Sequence, residues 1–283
     1  MVLESILPKQ WLEQKAEVGF FLGWGYSIIS IVLASIIFPK DPALPAVAFT
    51  TILLLPSMRR LFDIEGKVME HEKNFSFLKL FRYNKGFVKT YLFVFIGVIL
   101  VYSTATIVLP SFQVNTLFET QLAVRGITGH AAMANPFYAL ILNNFIVLMA
   151  IFFVSLLTGD GGMFLIIWNA SVWGTIFGVT ARNAAAYTAT SPFLYFAIIM
   201  AVVLPHMILE ILSYVLGAIS GGVISKGLTV KKLTVSKFNT TMSYQIALLL
   251  IAVMIMLIAG TLEVFVLQNA AIYQEIIANS YLV

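Results

Sequence analysis

Apolar runs of membrane-spanning length recur along the chain, at about residues 18–38, 45–58, 87–110, 136–158, 162–180, 192–220 and 242–268. Roughly 20 residues of helix cross a bilayer. The pattern therefore predicts an all-α fold: a polytopic transmembrane bundle of about six to seven spans, with short or re-entrant helices among them. Two runs are weaker than the rest. Pro45 and Pro56 confine the second to about a dozen residues, a length that suits a re-entrant helix as well as a span. The fifth follows Thr158-Gly159-Asp160-Gly161-Gly162, a break so short that the fourth and fifth runs form a tight antiparallel hairpin if both cross.

Between the runs lie two segments of mixed character. Segment 59–89 interleaves Leu61, Phe62, Ile64, Val68, Phe75, Phe77, Leu78 and Phe81 with acids and bases, which predicts amphipathic helices along the inner leaflet. It is read either as a platform for protein partners or as a loop held at anionic lipid. Segment 111–135 is apolar but too interrupted to span, and is read as a surface or re-entrant element. No internal repeat or low-complexity tract divides the chain, so residues 1–283 are expected to form a single transmembrane domain.

Composition sharpens this picture. Sixty per cent of the 283 residues are hydrophobic and 11% charged, and the mean hydropathy is +0.95, far beyond what a soluble core requires. Lipid is the expected solvent. No small-residue cleavage site closes the first run, so it is not expected to be a removed signal peptide. Cysteine is absent, which excludes disulfides, thiolate metal sites and a cysteine nucleophile. Of the 17 basic residues, all but Lys40, Arg125 and Arg182 fall on one side of a seven-span arrangement. Lys and Arg are enriched in short cytoplasmic segments, so a multi-pass protein of the cell membrane is expected, its N-terminus cytoplasmic and its tail from Gln268 to Val283 outside. The net charge of +4 is read as topology, and nucleic acid is not an expected partner.

Polar residues inside the runs carry the candidate chemistry: Asn143 and Asn144, Asn169, His206 and Glu210, and Glu263. A central charge costs about 2.5–3.5 kcal/mol even on the lenient insertion scale, so each such residue needs a partner. His206 and Glu210 are spaced to share one helical face. Pro205 precedes them, removing a backbone donor and favouring a kink beside a polar pocket. Glu210 is expected to be protonated or paired. Asn in a membrane helix commonly bridges helices by hydrogen bonds of about 1 kcal/mol. Together these six residues are read as a buried polar network. At about 1.5 Å per residue, Asn143 and Glu263 fall in the outer half of their runs and Asn169 and Glu210 in the inner half, with His206 near the middle. One compact site then requires kinked or tilted helices. Gly174 with Gly178, and Gly217 with Gly221, are small-residue positions suited to close helix packing or to the face of a homo-oligomer.

Catalytic motifs are missing. There is no His-Glu-x-x-His, no Gly-x-Ser-x-Gly elbow, no dinucleotide fingerprint and no phosphate-binding loop. His206 and Glu210 supply at most two metal ligands, so no catalytic residues, metal or cofactor are expected.

The order Asn143-Asn144, Asn169, Pro205-His206 with Glu210, and a last helix with Gly260 and Glu263 resembles the stage II sporulation protein M family. That family carries a paired-Asn helix, an Asn-Gly helix, a Pro-His-Gly-x-x-Glu helix and a terminal helix with an acidic residue. The likeness covers about residues 85–268; Ala170 and Met207 stand where the family has glycine. In endospore-forming bacteria the resemblance implies a scaffold that anchors cell-wall-degrading partners during engulfment. The expectation is therefore an integral membrane protein acting as a non-enzymatic scaffold or assembly factor with a buried polar network. The alternative is a proton-coupled transporter or channel-like protein using Glu210, Glu263 and His206.

Overall fold

The computed structural model describes residues 16–69, 77–124, 136–229 and 235–282, with side chains for 16–59, 85–124, 137–228 and 241–282. Lys9, Lys15, Lys73, Arg125, Lys231 and Lys232, which enter the charge argument, lie outside the described residues. So do the middle of segment 59–89 and residues 125–135 of segment 111–135.

Every described element is helical. In chain order they are α1 (Val18–Ile37), α2 (Ala43–Met69), α3 (Phe77–Val108), α4 (Ser111–Leu117), α5 (Pro136–Thr158), α6 (Gly162–Thr188), α7 (Pro192–Thr229), α8 (Val235–Asn269) and α9 (Ala271–Asn279). Six of them, α1, α3, α5, α6, α7 and α8, are long and apolar enough to cross a membrane, and Ala43–Arg59 of α2 forms a shorter apolar helix. The protein is an all-α, multi-pass bundle. Its outward side chains include Phe21, Ile36, Leu157, Leu250 and Phe265, a surface that only lipid solvates without penalty.

The prolines do not confine the second run. Pro45 sits in the first turn of α2, where its nitrogen has no helical carbonyl to meet. Pro56 lies inside the helix and removes only the bond to the carbonyl of Ile52, on an exposed face. The charged stretch that follows does not form separate helices either: the helical backbone of 59–69 continues α2, and that of 77–89 begins α3.

Glycines set the direction and closeness of the helices. A Cβ on Gly19 would meet the carbonyl of Thr90 at 2.7 Å, and Gly23 abuts Val94 in the same way. Contacts that advance together show that α1 and α3 run parallel, so the chain returns between Ile37 and Lys85, with α2 as the returning element. On the other side of α3, Gly174 of α6 would meet the carbonyl of Ile99 at 2.7 Å, and Gly178 lies on Ser103 and Thr106. Gly217 and Gly221 of α7 face Leu148 and Phe152 of α5. Backbones at this distance gain dispersion contacts that larger residues forbid. The α5–α6 hairpin turns at Gly159, whose φ of +82° suits glycine. Beside it, Arg59 of α2 pairs with Asp160, bringing the end of the apolar part of α2 to this turn. Among the spans, α3 and α6 are the most enclosed, and they form the centre of the core with α7.

Residues 111–124 bury one side against the bundle and leave the other exposed. Val114, Phe118 and Gln121 are fully buried, whereas Phe112, Asn115, Thr116 and Glu119 are exposed, and the ring of Phe118 lies 5.3 Å from that of Tyr102. Gln121 Nε2 donates to Ser171 Oγ at 3.3 Å and to the carbonyl of Ala43 at 3.5 Å. Ser171 is about 16 Å along α6 from Arg182, which holds the end of α3 through the carbonyl of Leu109.

Candidate functional site: a polar chain across α5, α7 and α8

Asn143 and Asn144 sit near the start of α5. Asn143 Nδ2 donates to Asn144 Oδ1, and Asn144 Nδ2 donates to Glu263 Oε2, each at 3.2 Å. The second bond ties α5 to α8 a turn of helix from the close contact of Gly260 with Ile141. That contact is what brings an amide and a carboxyl on different helices within reach of each other.

Glu210 is 3% exposed and accepts a 2.6 Å hydrogen bond from the hydroxyl of Tyr214 at Oε1. The two side chains are one turn apart on α7 and share its face. Glu263 acts on Glu210 electrostatically, although among the described residues no hydrogen bond joins the α7 carboxyl to the α5–α8 tie. Tyr273 of α9 closes the group near the tail. Enclosure by protein raises its phenol above the ordinary range, and Glu263 and Tyr281 add to the effect.

Depth explains how one group forms without extreme kinks. A sixth run taken as 192–220 puts Glu210 in the inner half. The helix in fact runs on to Thr229 over 38 residues, which places Glu210 at its middle. Pro205 lies inside α7 without ending it.

His206 is buried, and its Nδ1 meets no hydrogen-bond partner among the described residues. Asn169 is not drawn into the chain: its Nδ2 donates to the carbonyl of Leu165 in its own helix at 2.8 Å. Gly174, Gly178, Gly217 and Gly221 lie at helix contacts away from the carboxyls. No group of three or more His, Asp or Glu converges among the described residues in a way that would hold a metal ion.

Two partners lie outside the six residues read from the sequence. Tyr214 was detectable from its spacing to Glu210, but a tyrosine in an apolar run reads as core. Tyr273 belongs to a helix in what looks like a tail. Farther along, and apart from this group, Ser220 Oγ donates to the backbone carbonyl of Gln245 at 2.7 Å and ties α7 to α8.

A comparison with curated proteins and with solved structures finds no match. A family model described as stage II sporulation protein M, a family of membrane proteins, matches residues 86–267. That stretch holds α5 to α8 nearly whole, and with them every member of the polar chain except Tyr273. The chain belongs to the stage II sporulation protein M family.

Proposed function

We propose that this membrane protein is a non-enzymatic scaffold or assembly factor, with a polar core that fixes how α5, α7 and α8 pack. The observation that carries the reading is the Asn144–Glu263 bond between helices. Together with the Tyr214–Glu210 bond, it gives each intramembrane carboxyl a donor from the protein itself, as a static tie requires. On this reading the Lys- and Arg-rich end faces the cytoplasm, and segment 59–89 is where soluble partners dock. Crosslinking of the full chain in its native membrane, followed by sizing, tests it. A discrete assembly larger than one chain, unchanged by Glu210→Gln, is expected. A chain that is monomeric and free of specific partners overturns the reading.

A second reading is a proton-coupled transporter, favoured by two carboxyls within electrostatic reach, of which Glu210 is one turn from His206, whose Nδ1 has no partner among the described residues. It requires proton flux in liposomes that Glu210→Gln abolishes. Equal traces for the variant and the parent protein exclude it.

A further inference from the structure

Where the buried side of 111–124 meets α3 and α6, three side-chain oxygens are buried without a partner among the described residues. Gln121 reaches Ser171 of α6 through its amide nitrogen, while Gln121 Oε1 is buried without a partner among the described residues. Thr175 follows Ser171 by one turn, on the same face of α6, and its Oγ1 is buried and unpartnered. Tyr102 approaches from α3: its Cβ is 2.8 Å from where a Cβ on Gly174 would stand, and its ring packs on Phe118, one turn before Gln121. The hydroxyl of Tyr102 is also without a partner among the described residues. All three residues have a relative exposure of 0%.

We infer that Tyr102, Gln121 and Thr175 line an internal hydration site, in which a small cluster of ordered water solvates the polar groups where 111–124 packs on α3 and α6. The chemistry of the oxygens selects water. Gln121 Oε1 only accepts, whereas the two hydroxyls donate or accept. A water donating to the amide oxygen and accepting from a hydroxyl satisfies both kinds. A metal cation would enter without a counter-charge, because no carboxylate belongs to this cluster, and an unpaired charge at bilayer depth is costly. This site is separate from the carboxyl chain of α5, α7 and α8.

Radiolytic hydroxyl-radical labelling of the full chain in nanodiscs, in oxygen-18 water, tests the inference. Tyr102 is expected to take up label well above Phe95, an equally buried ring of α3. Labelling of Tyr102 no higher than that of Phe95 overturns it. Thermal unfolding is a second arm. Tyr102→Phe, and Thr175→Val should the first variant not accumulate, removes a hydroxyl without changing shape. A hydrated hydroxyl loses a bond, and the apparent Tm falls by about 2–4 °C. A Tm that is unchanged or higher means the hydroxyl had no partner to lose, and overturns the site. Exchange of sodium for potassium or choline is expected to leave both readouts alone. Dependence on one cation replaces the water reading with an ion site.

Discussion

The polar chain rests on single hydrogen bonds, so its residues separate cleanly by variant. Asn144→Ala removes the only donor described for Glu263 Oε2, and a stability loss of about 1–3 kcal/mol is expected, read as a lower unfolding midpoint in lipid. Glu263→Gln keeps an acceptor oxygen and is expected to cost less. Tyr273 gives a pH prediction. Its folded phenol is raised, so it contributes full stability below the ordinary tyrosine value of about 10. Above that, the unfolded phenol ionises while the folded one does not, and stability falls as pH rises. The loss is expected to shrink in Tyr273→Phe, measured by unfolding at pH 9 and pH 11. At this scale the sequence was informative wherever cost made a residue conspicuous: Asn144, Glu210 and Glu263 stand out because hydrocarbon penalises them. Asn169 stood out for the same reason, yet its own helix satisfies it through Leu165. Composition cannot tell a bond within a helix from one between helices.

For the elements, hydropathy located the spans but not their ends. The fifth run looked finished at 180 because Arg182 and Asn183 follow, yet α6 continues to Thr188 through three alanines that hold a helix without greasing it. The seventh run gained a turn or more before 242 in the same way. The helix α9 was taken for a tail because nine residues are too few to register as a span. Ile276, fully buried, was its clue. Helix contacts give the sharpest test. A Cβ at Gly221 falls on the backbone of Phe152 and Leu156, whereas one at Gly217 meets chiefly the tip of the Leu148 side chain. Gly221→Ala is expected to destabilise by about 1–3 kcal/mol. Gly217→Ala is expected to cost less than about 1 kcal/mol, since Leu148 gives way and alanine favours helix. Thermal unfolding of the pair, with Gly25→Ala as a control at an open position, checks the ranking.

The whole molecule raises the question of which side is which, and the absence of cysteine makes the answer accessible. Single cysteines at the exposed positions Lys40 and Lys85 sit at opposite ends of the bundle, since α1 ends near the first and the close contacts of Gly19 and Thr90 lie near the second. In intact cells an impermeant maleimide is expected to label Lys40→Cys and spare Lys85→Cys; the reverse pattern inverts the proposed orientation. The membrane character and the six helices long and apolar enough to cross were legible from run length. Which side of 111–124 packs inward was not legible, because the partners of its buried residues, Tyr102 for Phe118 and Ser171 for Gln121, are far away in sequence.

The Lys-poor end is not level. Arg182 donates to the carbonyl of Leu109, just past the end of α3, while α6 continues to Thr188 before the chain doubles back at Pro192, a further length of about 9 Å. Tyr187, Phe193 and Leu194 stand exposed around that crest. Aromatic side chains at a span's end favour the boundary between hydrocarbon and water, so Tyr187 and Phe193 are placed to anchor this turn at the lipid headgroups.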